Sequence, residues 1–165
     1  MRGFTLIELM IVISIMALLG AFTIANYRSF GEDKDLENAA LDVVSLIRTA
    51  QTNATTNLKC VNDGGIWQIE YITGSPEIKL NCKEPLADFI KKKTLQLKTN
   101  IQVDSVIGSP PIACTGLTIN FKPINGQIEL GGDEACDSLT ATLKNTTRPG
   151  TKNVIIEKGG KIYVN

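Results

Sequence analysis

The chain has 165 residues, with 17 basic and 17 acidic side chains and no histidine. That length fits one small domain with an appendage, and residues 32–165 hold 15 basic against 16 acidic groups, which argues against a uniformly basic nucleic-acid-binding body. Without histidine, a C-x-x-C pair, a G-x-S-x-G elbow or a Gly-rich phosphate loop there is no pattern for zinc, acyl-transfer or nucleotide chemistry, so neither a cofactor nor an enzymatic activity is expected.

At the N-terminus, residues 9–25 form a run of 17 uncharged residues, preceded by Gly3-Phe4-Thr5-Leu6-Ile7-Glu8. A helix rising about 1.5 Å per residue over residues 4–25 would extend roughly 33 Å, enough for a hydrocarbon core of about 30 Å. The sequence therefore predicts a membrane-spanning helix. A secretory signal is cut after its apolar run. Here the small residue Gly3 precedes the run, so a cut after Gly3 would leave the anchor attached. An ionised carboxylate at the depth of Glu8 costs on the order of 3 kcal/mol, so Glu8 is expected to have a partner; the alternative is a side chain that snorkels from the helix end. Cleavage after Gly3 would create an amino group on Phe4, a cation at the depth of a neighbouring molecule's Glu8.

Gly3-Phe4-Thr5-Leu6-Ile7-Glu8, followed by Leu9-Met10-Ile11-Val12-Ile13-Ser14-Ile15, resembles the class III signal of type IV pilins and type II secretion pseudopilins. The resemblance implies that a prepilin peptidase cuts between Gly3 and Phe4, that the new N-terminal Phe4 is N-methylated, and that Glu8 guides docking into a filament. It implies as partners other pilin or pseudopilin subunits, the prepilin peptidase, an inner-membrane assembly platform, and membrane lipid before assembly. The implied location is a single pass of the inner membrane with the head outside the cytoplasm, then a periplasmic or extracellular filament. One departure is that the first proline is Pro76, so the helix lacks the proline common in major pilins, and Gly20 is left as the residue that could weaken it. The expected organisation is a leader at residues 1–3, a transmembrane and assembly helix at 4–31, and a head at 32–165 that is helical to about residue 58 and then β-rich.

Within the head, Leu36, Ala40, Val43, Ile47, Ala50, Ala54 and Leu58 recur at alternating steps of four and three, one apolar stripe on a helix, while Asp42, Ser45, Arg48, Thr49 and Gln51 fall off it. Gly31 with Glu32-Asp33-Lys34-Asp35 could cap a new helix, whereas the resemblance implies one that runs on continuously; either is compatible with a bend near Gly31. Four cysteines follow: Cys60, Cys82, Cys114 and Cys136. An exported head meets an oxidising compartment. Four cysteines allow three connectivities; Cys60 with Cys82 and Cys114 with Cys136, each 22 residues apart, suit local links between neighbouring strands. Buried free thiols are the alternative.

Beyond Cys60 the period changes to two. Trp67, Ile69 and Tyr71, a turn at Gly74-Ser75-Pro76, and Ile78 and Leu80 predict a hairpin. Leu95 with Leu97 and Ile101 with Val103 predict further strands, with a loop at Gly108-Ser109-Pro110-Pro111. Leu117, Ile119 and Phe121 lead through Asn125-Gly126, a type I′ turn signal, to Ile128 and Leu130. Leu139-Ala141-Leu143, Val154-Ile155-Ile156 and Ile162-Tyr163-Val164 complete the set, the last two separated by Gly159-Gly160. The expected class is α+β: a long N-terminal helix laid across an antiparallel sheet in a pilin-like head.

Leu117-Thr118-Ile119-Asn120-Phe121-Lys122-Pro123, the following Asn125-Gly126, Gly159-Gly160-Lys161-Ile162, and Leu46-Ile47-Arg48-Thr49-Ala50-Gln51 on the helix are similar to H-type minor pseudopilins and FimT-like minor pilins. Those families typically follow the glycine pair with Arg, where this chain has Lys161. The FimT-like resemblance implies a DNA-contacting tail, whose candidates are Lys144, Arg148, Lys152, Lys158 and Lys161; against Glu157 alone they give residues 144–165 an excess of four positive charges. Only Tyr163 is available there for stacking. Lysines that protect an edge strand are the plainer reading, and nucleic acid is not the favoured partner. Asp133, Glu134 and Asp137 near Gly131-Gly132 read as a solvated acidic turn rather than a metal site, and Lys91-Lys92-Lys93 as solvated surface. Taken together, these residues predict a non-enzymatic filament subunit, with two alternatives: a DNA-binding minor pilin, and a membrane-tethered solute-binding domain or enzyme.

Overall fold

The computed structural model describes residues 5–109, 117–131 and 136–165, with the backbone alone in residues 22–29. Helix α1 (Leu6–Thr55) is followed by nine strands: β1 (Ile66–Tyr71), β2 (Glu77–Lys83), β3 (Ile90–Gln96), β4 (Ile101–Ser109), β5 (Thr118–Phe121), β6 (Ile128–Leu130), β7 (Ser138–Asn145), β8 (Thr151–Glu157) and β9 (Ile162–Val164). The chain divides into two compact units, Met1–Asp35 and Leu36–Asn165.

In the first unit the described apolar side chains of α1 are exposed all round, Leu6 to 77% and Met16 to 68%. Ser14 donates its hydroxyl to the carbonyl of Met10 at 2.8 Å, which satisfies the one polar side chain of residues 9–21. Helical structure runs through Gly20 and Gly31 without a break, so no new helix is capped at Gly31. Among the described residues no helix is long and apolar enough to cross a membrane. The apolar stretch with described side chains covers residues 6–21, sixteen residues and about 24 Å of rise; the span expected from the sequence, residues 4–25, extends past both of its ends.

In the second unit Leu36, Ala40, Val43, Ile47, Ala50 and Ala54 are buried, so the stripe expected from the sequence is the face that α1 gives to the core. Ala39, Val44 and Leu46 widen that face. The expected helix end near residue 58 is three residues too late. Asn57 adopts φ +52°, its N–H bonds to the carbonyl of Ala54 at 3.0 Å, and the N–H of Leu58 bonds to that of Asn53 at 2.8 Å. This is a Schellman cap with Asn in the left-handed position more often taken by Gly, and it turns Leu58 out into solvent.

The strands form two antiparallel sheets where one was expected, in the orders β3-β2-β1-β5-β6 and β4-β7-β8-β9. The β1–β2 turn joins them: Gly74 N–H donates to Val103 O at 2.8 Å, and Val103 N–H donates to Ser75 O at 3.1 Å. Trp67, Ile69, Tyr71, Ile78, Leu80, Ile119, Phe121, Leu139, Leu143, Val154 and Ile156 close one core with the helical stripe. The Tyr71 hydroxyl lies in it without a hydrogen-bond partner, and burial pushes its pKa up.

Two loop expectations are corrected. Gly108 and Ser109 belong to β4, paired with Leu139 and Ser138, while Pro110-Pro111 lies outside the described residues. Asn125-Gly126 is not a type I′ turn, because the positive φ falls on Ile124 and Gly126 rather than on Asn125, and the β5–β6 connection is correspondingly longer than two residues.

Candidate functional site

The start of α1 is built by two residues three apart. Thr5 N–H donates to Glu8 Oε2 at 3.1 Å and the Thr5 hydroxyl to the same oxygen at 3.0 Å, while Glu8 N–H donates back to Thr5 Oγ1 at 3.3 Å. This is a reciprocal capping box, T-x-x-E, which satisfies helix-end donors that would otherwise face an apolar medium unpaired. The T-x-x-E pattern of Thr5-Leu6-Ile7-Glu8 carries the signal for this box, beside the docking and snorkelling roles that its charge suggests for Glu8. Glu8 is thus held at the helix entrance by its own chain. Gly3 and Phe4, the expected cleavage and methylation positions, lie outside the described residues.

At the far end of α1 a second cluster fixes the approach to β1. Cys60 and Cys82 are disulfide-bonded with Cα atoms 5.8 Å apart. Cys60 sits in a loop, beside the isolated bridge between Lys59 and Gly64, so this bond ties a loop to β2 rather than two neighbouring strands as expected. Cys136 is also disulfide-bonded, and its expected partner Cys114 lies outside the described residues. Glu84 Oε1 accepts from the successive N–H groups of Val61 at 2.8 Å, Asn62 at 2.6 Å and Asp63 at 3.0 Å. These three donors, from Asp63 first, then Asn62 and Val61, hold its carboxyl below the usual carboxylate range. The Lys92 ammonium donates to the carbonyl of Cys60. Sequence context does not mark Glu84, because an anion-holding nest depends on backbone conformation rather than on residue type; Lys92, expected with Lys91 and Lys93 as solvated surface, instead bonds to a backbone carbonyl.

The C-terminal basic residues are not brought together. Lys144, Arg148 and Lys152 lie at or beside the β7–β8 turn, since Lys144 pairs with Thr151 and Lys152 with Leu143 across the two strands. Lys158 and Lys161 lie at the β8–β9 turn, the other end of a seven-residue strand about 20 Å long. Lys144 sits 3.5 Å from Asp104, and Lys161 sits 3.9 Å from Glu157 with its ammonium 4.8 Å from the centre of the Tyr163 ring. Asp104 offsets one charge of the positive excess counted along the sequence, a count that already includes Glu157. β9 is an edge strand and Lys161 immediately precedes it, the placement expected of edge protection. Of the acidic turn, Asp133 and Glu134 lie outside the described residues. Among the described residues no group of three Cys, Asp or Glu side chains could hold a metal ion.

The β8–β9 turn also meets the helix. Gly160 has φ +87°, and a Cβ there would lie 2.9 Å from Gln51 Nε2. Two of the sequence stretches that carry the pilin-like resemblance, Gly159-Gly160-Lys161-Ile162 and the helical segment ending in Gln51, are therefore in contact.

Residues 1–24 match the prokaryotic N-terminal methylation motif. That motif implies membrane anchoring before assembly. The structure is similar to that of the minor pseudopilin EpsH from the type 2 secretion system of Vibrio cholerae, with a TM-score of 0.56 and 11% sequence identity over 79% of this chain and 96% of that chain. The fold is that of a minor pseudopilin. At this identity the shared property is the α+β architecture, which agrees with the one expected from the sequence. No curated protein matches the chain.

Proposed function

We propose that the chain is a structural, non-enzymatic subunit of a pilin-like filament, a minor pseudopilin or minor pilin. The observation that carries this reading is the methylation motif over residues 1–24, which leads directly into a helix that goes on to supply one face of the head's core. In this reading the precursor sits in the inner membrane with its head outside the cytoplasm, a prepilin peptidase removes residues 1–3, and Phe4 is methylated. An assembly platform then draws the subunit into a filament of pilins or pseudopilins. The exposed apolar side chains of residues 6–21 meet lipid before assembly and neighbouring helices afterwards.

The capping box gives Glu8 two roles in sequence. In the precursor its carboxylate is occupied by Thr5 of its own helix. Cleavage places an ammonium on the residue just before Thr5, and in the filament a neighbour's ammonium is a stronger partner for a carboxylate in a low dielectric than a neutral hydroxyl. Glu8→Leu should enter the membrane at least as well as wild type, because a charge is removed from the apolar run, yet be under-represented in sheared filaments when co-expressed with wild type. Incorporation of Glu8→Leu at the wild-type level would rule out the docking role.

A further inference from the structure

Asn125-Gly126, which the fold does not use as a two-residue hairpin turn, is the one Asn-Gly pair of the chain. It lies in the β5–β6 connection, which is tied down on both sides. Lys122 N–H donates to Gln127 O at 2.9 Å across it, and Ile124 N–H donates to Ala54 O at 3.2 Å near the end of α1. Asn125 itself is exposed. Its Oδ1 accepts from the N–H of Gln127 at 3.2 Å, so the side chain folds back along its own backbone in an Asx turn. An Asx turn carries Cγ over the peptide nitrogen of the next residue, here Gly126, and a bond between those two atoms closes a five-membered ring. Groups held this way have already met the orientational cost of reacting.

Three features favour closure. Gly126 brings no Cβ to shield its nitrogen, and its φ of +64° suits few other residues. Among the described residues its N–H has no hydrogen-bond acceptor, so the proton that has to leave is not held by the fold. Gln127 N–H, already on Oδ1, stabilises the negative charge that develops on that oxygen as the ring forms. Asn62 supplies the contrast within the same head. It too is exposed, but the next residue is Asp63, which has a side chain and whose N–H is committed to Glu84 Oε1 at 3.0 Å.

We propose that Asn125 is a site of self-catalysed covalent modification, at which the side chain cyclises onto Gly126 and is deamidated with water as the only co-reactant. The Gly126 nitrogen gives up its proton to water or hydroxide and bonds to Asn125 Cγ. The Cγ–Nδ2 bond then breaks, the amide nitrogen takes up a proton and leaves as ammonia, and a succinimide remains. Water adds to either ring carbonyl and opens the ring. Opening at Cγ gives an aspartyl residue; opening at the backbone carbonyl gives an isoaspartyl residue, with an extra methylene in the main chain. Either product turns a neutral side chain into a carboxylate, on a groove that Lys83 and Lys122 also line. The isoaspartyl product also alters the connection whose Ile124 N–H bonds to Ala54 O. The site thus marks the age of a subunit without any enzyme. It goes beyond the filament reading and does not depend on it, because it uses residues of the head alone.

The test ages the purified full chain in detergent at neutral pH, in water enriched in heavy oxygen, and follows it by peptide mapping and by labelling with an isoaspartyl methyltransferase. The expected product is a peptide spanning position 125 that is heavier by about 3 Da, an amide exchanged for a hydroxyl carrying heavy oxygen, and that takes the methyl label. Conversion should exceed that at Asn62 by about tenfold or more. It should rise about fivefold or more from about pH 7 to about pH 8, because base removes the Gly126 proton. Asn125→Gln, which could close only a six-membered ring, should melt near the wild-type temperature and take no label, which separates lost reactivity from lost folding. Gly126→Ala should lose most of the label as well. Amide exchange at Ile124 should be faster in the isoaspartyl form. No conversion at Asn125, equal conversion at Asn62, or conversion only in chain first unfolded in urea would overturn the proposal.

Discussion

The two stretches of α1 differ in apolar content, and their apolar side chains have opposite fates. Along residues 6–21 the apolar side chains are exposed on every face of the helix, with Met16 at 68%, whereas from Leu36 to Ala54 all the apolar residues but Leu41 are buried on one side and Ile47 is at 0%. The difference lies in periodicity. Leu36, Ala40, Val43, Ile47, Ala50 and Ala54 leave a polar face for solvent, so one chain can bury the stripe against its own sheets. Leu6-Ile7 and the run from Leu9 to Ile13 leave no polar face, and a helix of that kind has to be covered by lipid or by other helices. Hydrophobic free energy is thus realised within the subunit at one end and left for its surroundings at the other.

The comparison is most readily broken with paired substitutions. Ile47→Ala, at a fully buried site, should cost the full-length protein in detergent about 3 kcal/mol of unfolding free energy, measured by urea titration of the Trp67 signal. Met16→Ala in the exposed stretch should change that value by less than about 0.5 kcal/mol and act only on filament incorporation. A comparable loss from both would mean that the first stretch is packed within the monomer.

A similar effect is expected from the staple. Opening the bond between Cys60 and Cys82, which closes a 22-residue separation, should cost about 3 kcal/mol and release the Glu84-held loop. Amide exchange at Val61, Asn62 and Asp63 should then rise while helical exchange along residues 6–21 stays as it was. If exchange rises equally in both regions, the staple is not confined to the head. A free-thiol count on protein taken from the periplasmic side should be zero, as it must be if Cys114 and Cys136 form the second bond.

The smallest effect sharpens the contact between helix and tail. Gly160→Ala introduces a Cβ at φ +87° and 2.9 Å from the flexible end of Gln51, so it should cost about 1–2 kcal/mol, most of it backbone strain. Adding Gln51→Ala should recover only the smaller, steric part. Full recovery would assign the cost to the contact instead of to φ.

Much of this was legible from spacing alone. Steps of three and four residues located the buried face of α1, and alternation at Trp67-Ile69-Tyr71, Leu139-Ala141-Leu143 and the residues around them located strands and their inward sides. What spacing did not carry was backbone conformation. Asn57 ends the helix in place of a glycine, Ile124 takes the positive φ that Asn125 had seemed to offer, and the division into two sheets depends on the turn at Gly74-Ser75 bonding to Val103. The site divides in the same way. Glu8 is marked in the sequence as a charge at the head of an apolar run, and T-x-x-E marks its pairing with Thr5. Glu84 gave no sequence signal, because the nest it fills is made by backbone conformation, and Leu86 and Ile124 sit in proline turns that look like ordinary loops until φ is known. The five basic residues of the tail, close in sequence, are separated by the length of β8.

The central claim is that residues 1–3 are a leader and that the chain functions as the processed remainder. Intact-mass measurement of the protein recovered from native filaments tests it most directly. The account predicts a mass that begins at Phe4 and carries one added methyl group, with Gly3→Val giving a full-length membrane protein absent from filaments. Filaments containing a chain that begins at Met1, or a Gly3→Val chain recovered from them with Phe4 as its first residue, would contradict it.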